Sequence, residues 1–224
     1  MSDYNLSFII NSNSLVKNII YYEKTDSTND MAKKILDNEK TLKNNFLVLS
    51  NYQTKGRGKG NLRFLSPAGL GIYMSLVILK PQCDLTLISM VTALAICKSI
   101  KYFVNADVKI KWPNDILING KKACGILIEG AVYPKEVNVS HVIIGIGINV
   151  KNDSFDSQIE GIATSLKKES GQSVDRNSVI IKILKEFKYL FWKDAKDIFK
   201  EYLMNIRKND ISNIYKCQRF IDCL

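Results

Sequence analysis

Residues 53–75 read QTKGRGKGNLRFLSPAGLGIYMS, a basic, glycine-rich loop that runs directly into an apolar strand. Gly56, Gly58, Gly60, Gly69 and Gly71 are interleaved with Lys55, Arg57, Lys59 and Arg63. Glycine lets backbone N–H groups approach a ligand closely and accepts positive φ. Lysine and arginine add donors and charge for an anionic group. A solvated, flexible loop is the ordinary reading of such a stretch. Here Gln53, Ser66 and Pro67 flank it and a strand follows, which favours an anion-binding loop that orders on its ligand. The pattern is not a Walker A loop, because GRGKG lacks the long interval and the hydroxyl residue after Gly-Lys. Nor is it a dinucleotide fingerprint, because a strand rather than a helix follows.

Working outward, residues 18–23 (NIIYYE) read as a strand and 25–30 (TDSTND) as a cluster of helix-capping residues. Met31, Ala32, Ile35 and Leu36 then recur at helical spacing. Ser27, Thr28 and Asn29 therefore stand at a helix N-terminus, where hydroxyls, an amide and uncommitted backbone N–H groups gather. A plain helix cap explains them as well. Residues 45–51, 71–79, 108–111 and 141–150 have strand character, and 84–103 carry a helical apolar spacing through Leu85, Ile88, Val91, Leu94, Ala95 and Ile100. DILI and KKACGILIEG flank Asn119 and Gly120, the signature of a two-residue hairpin turn. Residues 174–207 turn helical. This order predicts an α+β domain with a central mixed β-sheet flanked by helices.

Three further stretches can carry chemistry. Residues 111–115 (KWPND) bring Lys111, Asn114 and Asp115 together; the proline keeps Trp112 out of the helical region. They suit a polar substrate or a magnesium ion on Asp115, or simply a turn opening a strand. Lys122, in KKACGILIE, faces away from Ala123 by strand alternation and is either an inward-facing cation or a sheet-edge lysine. The glycines of GIGIN (145–149) mark close approach of a ligand or of another element.

Composition narrows the field. The 224 residues suit one domain with at most a small appendage, and 46% hydrophobic content allows a full core. No apolar run reads as a membrane span and the N-terminus lacks a signal-peptide pattern. Five cysteines without CxxC spacing argue against disulfides or a zinc site and for a reducing compartment. The single histidine, His141, lies in an apolar run, which argues against a Ser–His–Asp triad or a histidine metal site. The net charge of +10 suits nucleotide phosphates, an acidic protein or nucleic acid, but the basic residues are scattered and form no aromatic-interleaved stripe.

Taken in order, these segments resemble the catalytic domain of biotin–protein ligases, a class II synthetase-like fold. The family pattern shows S-T-N at a helix start, Q-T-x-G-R-G-R-R-G-R-x-W-x-S-P-x-G-x-G-L-Y-x-S, K-W-P-N-D, K-x-x-G-I-L-x-E and G-x-G-x-N. Here these are residues 27–29, 53–75, 111–115, 122–129 and 145–149. The resemblance spans about 20–207 and implies ATP-dependent biotinylation of a lysine through biotinyl-5′-AMP. It implies that Ser27, Thr28, Asn29, Gln53, Arg57, Gly58, Lys59, Lys122 and Gly125 bind biotin, and that Phe64, Asn114, Asp115 and Asn149 bind ATP. Lys122, Arg57 and Lys111 would be catalytic, and Asp115 would hold Mg²⁺. The implied partner is the biotin carboxyl carrier domain of acetyl-CoA carboxylase or of another biotin-dependent carboxylase, in the cytoplasm, with no specific DNA, no membrane and a monomer or homodimer. A lipoate–protein ligase of related fold is the nearest alternative, and a non-catalytic basic nucleic-acid-binding protein a more distant one.

The chain departs from the pattern at Lys59–Asn61, where Lys59-Gly60-Asn61 stands for Arg-Arg-Gly, and at Phe64, which stands for the tryptophan that shields adenine. Only 26 residues precede Ser27, so no DNA-binding domain and no repressor function are expected. Residues 208–224 are expected as a C-terminal remnant after a 1–207 catalytic domain, too short for the SH3-like domain many relatives carry.

Overall fold

The structure, a computed structural model, describes residues 3–38, 42–60, 62–81, 83, 85–132 and 139–215. The elements run α1 (Leu6–Asn11), β1 (Asn18–Thr25), α2 (Thr28–Asn38), β2 (Phe46–Gln53), β3 (Gly71–Leu79) and α3 (Leu85–Phe103). There follow β4 (Val108–Lys111), β5 (Asp115–Ile118), β6 (Lys121–Val132), β7 (Val139–Asn149), α4 (Leu166–Ser170), α5 (Arg176–Phe191), α6 (Ala195–Asn205), a 3₁₀ turn (Lys208–Asp210) and α7 (Ile211–Tyr215). The strands form one seven-stranded sheet in the order β1-β2-β3-β7-β6-β5-β4. Only β1 and β2 pair in parallel; every other neighbour is antiparallel. The mixed sheet flanked by helices is thus the expected α+β class.

Alternation along the strands sorts the core into two layers. On β2, Leu47 and Leu49 join the larger back core, while Phe46 and Val48 join a smaller front one. The back layer packs α3, α5 and α6 on the sheet, with eleven buried residues on α3 alone. At about 1.5–3 kcal/mol per fully buried large apolar side chain, this layer supplies most of the driving force. The front core has only Ala32, Phe46, Val48, Val77 and Ile143 fully buried, under the single helix α2. Polar contacts must therefore fix much of the front.

The predicted hairpin turn is present, with φ of 49° at Asn119 and 81° at Gly120. Helix α3 corrects one expectation: its 19 residues, with a mean hydropathy of 1.4, are long and apolar enough to cross a membrane by length and composition. It is instead the central helix of the back layer, packed against α5 and α6. Helices α1 and α4 were not foreseen, being too short for periodicity. Each is marked by a side-chain cap, Asn5 Oδ1 accepting from Phe8 N and Ser165 Oγ from Lys168 N. Beyond residue 207 the chain still packs on the sheet domain. Asp210, 4% exposed, accepts from Trp112 N and from Arg207, and Ile214 is buried. Cys217 and Cys223 lie outside the described residues.

Candidate functional site

The front face of the sheet holds the site. On β7 the back face carries Ile144, Ile146 and Ile148, whereas the front carries Ile143, Gly145, Gly147 and Asn149. The ladder sets Gly145 between Ser75 and Leu127, and Gly147 between Tyr73 and Gly125. The result is a floor nearly bare of side chains. A methyl at Gly145 would lie 2.4 Å from Asn29 Oδ1, and one at Gly147 would lie 2.5 Å from the Phe64 ring. So Gly145 admits a side chain of α2, and Gly147 admits one of the glycine-rich loop. Phe64 lies on the floor itself, over Gly147 and Gly125 and edge-on to Tyr73, with ring centroids 6.4 Å apart. The pocket beside it is small, about 40 Å³.

Strict alternation along β6 would put Lys122 and Gly125 on opposite faces. A register shift prevents this. Asp115 pairs with Gly125 and Ile116 with Cys124, but Leu117 pairs with Lys122, which leaves Ala123 as the extra residue of a bulge. Ala123 and Cys124 are both fully buried, and Lys122 and Gly125 both line the pocket. Lys122 Nζ lies 2.6 Å from Asp115 Oδ1, an ion-pair distance, though the angle is not that of a hydrogen bond.

A chain of polar contacts fixes the wall above the floor. Thr28 N and Oγ1 donate to Gln53 Oε1 at 2.8 and 3.2 Å, and Gln53 Nε2 donates to Ser66 Oγ at 2.9 Å. Ser75 Oγ, buried on β3, lies 2.8 Å from Thr28 Oγ1 and donates to Asn29 Oδ1 at 2.6 Å. Asn29 Nδ2 donates to Glu129 Oε2 at 2.7 Å. The start of α2 is thus more than a helix cap: Thr28 and Asn29 point at the sheet and are buried with Ser27.

The glycine-rich loop is itself a hairpin. Phe64 N donates to Gly56 O at 2.9 Å, Gly58 N to Leu62 O at 2.8 Å, and Arg57 bridges to Arg63. Backbone pairs thus give the loop a defined shape in this structure. Arg57 reaches across to Glu129 Oε2 at 2.6 Å and Asp30 Oδ1 at 3.0 Å, while Lys59 Nζ sits 6.0 Å from the Trp112 ring centre. Glu129 also receives Lys33 Nζ at 2.7 Å. Burial would raise its pKa, but hydrogen bonds from Lys33 and Asn29 and the charge of Arg57 outweigh it and hold the carboxyl below its ordinary value.

The pocket gathers Ser27, Thr28, Asn29, Gln53, Arg57, Gly58, Lys59, Phe64, Asn114, Lys122 and Gly125, all expected from sequence. Lys111, Asp115 and Asn149 are not in its lining. Lys111 stands opposite Asp115 in the β4–β5 ladder, and Asn149 donates to Thr164 O at 3.0 Å in the interior. Sequence reasoning did not single out Asp30, Lys33, Ser75 and Glu129. Glu129 had a visible signal as the charged residue that ends the K-x-x-G-I-L-x-E stretch, within the otherwise apolar second half of β6. Among the described residues no three His, Cys, Asp or Glu side chains cluster as a metal site. Magnesium takes few protein ligands beside phosphates and water; the carboxylate that could offer it an oxygen is Asp115, whose Oδ1 is already 2.6 Å from Lys122 Nζ. His141 is at the far end of β7, paired with Leu79, and burial lowers its pKa. Burial pushes the Cys124 thiol far up, so it is no nucleophile.

Residues 21–149 match the biotin/lipoate A/B protein ligase family. The bifunctional ligase/repressor BirA of Bacillus spizizenii is 38% identical over 189 residues, covering 82% of this chain and 57% of the relative. The biotin–[acetyl-CoA-carboxylase] ligase of Paracoccus denitrificans is 34% identical over 68% of this chain and 64% of its own length. The chain thus spans less than two thirds of these relatives' length. Among solved structures, the biotin protein ligase of Aquifex aeolicus in complex with biotin and ATP superposes with a TM-score of 0.71 at 26% identity, covering 85% of this chain and 78% of that one.

Proposed function

Because the chain belongs to the biotin/lipoate A/B protein ligase family, we propose that it attaches biotin to a lysine of an acceptor protein. It uses ATP and passes through biotinyl-5′-AMP. The observation that carries this reading is the β6 bulge, which brings Lys122 and Gly125 to one glycine floor beneath the hairpin's Arg57 and Lys59. The names of the relatives and the ligands of the solved neighbour support the choice of biotin and ATP.

In the first step the biotin carboxylate attacks the α-phosphorus of ATP and pyrophosphate leaves. Two anions must meet, and cations placed in advance offset their repulsion without reorganising. Lys122 on the floor and Arg57 in the hairpin are such cations on two sides of one pocket. Lys111 would act from the flank, next to Asp115 in the ladder. Asp115 is the residue that would hold Mg²⁺, and the ion supplies charge neutralisation on the phosphates when bound. Asn114, fixed by Nδ2 donating to Ile126 O at 3.0 Å, lies on the side proposed for the nucleotide. Asn149 would act there only through the backbone it braces. In the second step the acceptor lysine amine attacks the mixed anhydride and AMP leaves. Neither step needs a covalent enzyme intermediate. The hairpin and Phe64 cover the floor and would keep water from the anhydride. The acceptor proposed is a biotin carboxyl carrier domain of a biotin-dependent carboxylase.

Transfer of labelled biotin to a purified carrier domain tests the reading, with ATP–pyrophosphate exchange run on biotin and on lipoate. We expect biotin-dependent transfer, and a loss of about 10²-fold or more in Lys122→Ala, the scale for removing one preorganised charge-stabilising donor. Full transfer by the variant would remove Lys122 from its role. Exchange with lipoate alone would move the substrate to lipoate.

A further inference from the structure

We propose that Glu129 is a positioning residue that fixes the glycine-rich hairpin over the pocket by holding Arg57 against α2; the functional half of the proposal rests on the ligase reading above. Donors from two elements converge on this carboxylate. Asn29 and Lys33 come from α2, at 2.7 Å each, and Arg57 comes from the hairpin at 2.6 Å. Arg57 bridges in turn to Asp30, so two carboxylates and two cations alternate in a charge-balanced chain, Lys33–Glu129–Arg57–Asp30, at the pocket's rim.

The cluster has the right connections to control the site. Arg57 directly follows Gly56, whose carbonyl accepts from Phe64 N, so a shift at Arg57 moves the ring that covers Gly147 and Gly125. Glu129 also sets the amide of Asn29: Nδ2 faces the carboxylate, Oδ1 faces Ser75 Oγ, and Gly145 leaves room for it. Arg57 reaches both carboxylates through Nη2. A guanidinium has five donors in a planar fork, so Nη1 and Nε stay available to an anionic ligand while Nη2 is anchored. An arginine held in this way meets the ligand in a fixed orientation. One tied to nothing would lose side-chain freedom on binding, which weakens the complex.

Glu129→Gln keeps the shape and removes the charge, and Lys33→Ala breaks one arm from outside the pocket. Two readouts are taken on the full chain: the trypsin cleavage rate at Lys55, Arg57 and Lys59, and biotin-dependent ATP–pyrophosphate exchange. We expect Glu129→Gln to speed cleavage and raise the KM for biotin by about tenfold, the low end for a charged hydrogen bond, with kcat changed far less. Lys33→Ala should move both in the same direction by a smaller factor. In an Arg57→Ala background the effect of Glu129→Gln on KM should shrink to the smaller part that passes through Asn29. Unchanged cleavage and KM in a folded Glu129→Gln protein overturn the proposal, as does an undiminished effect in the Arg57→Ala background. If the wild type shows no biotin-dependent exchange, the ligase reading fails; the cleavage rates then decide alone whether Glu129 holds the hairpin.

Discussion

Lys59 carries the hairpin's second anchor, opposite the Arg57 cluster. Its ammonium lies 6.0 Å from the centre of the Trp112 ring, at the outer edge of a cation–π contact. An arginine there would lay a planar fork on the indole and keep donors for the ligand. Lys59→Arg should therefore slow the release of biotinyl-AMP, by about two- to fivefold if the gain is the 0.5–1 kcal/mol of an exposed cation–π contact. A filter-binding chase with preformed intermediate measures this; release no slower than wild type would show that Lys59 does not limit retention. At this scale the sequence was informative wherever residue type and local spacing carried the signal, as for Gln53, Arg57 and Lys122. It was silent where a role depends on a distant partner. Glu129 is 72 residues from Arg57, and no local pattern in a single chain shows that pairing. Asn149 shows the converse: a motif position whose amide is committed to Thr164.

Strand β7 shows what an element can and cannot reveal. The Gly-Ile-Gly-Ile alternation of residues 145–148 already implied one bare face and one apolar face. What fills the bare face needed the fold, and it differs at the two glycines. Gly145 faces Asn29, which is held on α2 by contacts to Ser75 and Glu129 and has nowhere to go. Gly147 faces the ring of Phe64, which has no hydrogen-bonding group to hold it in place. Gly145→Ala should therefore cost about 1–3 kcal/mol, the range for overpacking a fixed site. Gly147→Ala should cost clearly less while raising the KM for biotin, because the displaced ring re-shapes the pocket. Urea unfolding and exchange kinetics on both variants check this; equal losses of stability would contradict the assignment of fixed and movable neighbours. The β6 bulge was illegible for a related reason. A period of two places Lys122 and Gly125 on opposite faces, and only the pairing with β5 reveals the extra residue that reunites them.

Across the whole molecule, the back layer reaches through to the base of the hairpin, and Arg176 makes the link. It begins α5, is 1% exposed, and its Nη1 donates to Gly71 O at 3.0 Å and to Asn51 Oδ1 and Tyr4 Oη at 3.2 Å each. Asn51 is on β2 and Gly71 opens β3, so one guanidinium grips both stems of the connection that carries the hairpin. In sequence it reads as one more solvated cation in a chain with a net charge of +10; only the topology makes it interior. Two effects compete on its removal. An apolar replacement relieves the desolvation of a buried charge, whose carboxylate partner among the described residues, Asp3, is 3.5 Å away and 57% exposed. It also strips a charged donor from buried acceptors on both stems. A weak, exposed counter-ion means that the charge is held mainly by those acceptors and by the Tyr4 ring, 4.2 Å from the guanidinium carbon, so the loss of donors should win. Arg176→Met should then lose about 2–3 kcal/mol, the scale of a charged hydrogen bond plus an orphaned acceptor. Trypsin should also cut the hairpin faster under conditions where the variant is still folded. Urea unfolding of the variant at wild-type stability would mean that the stems hold themselves, and that the coupling between the back layer and the site runs elsewhere.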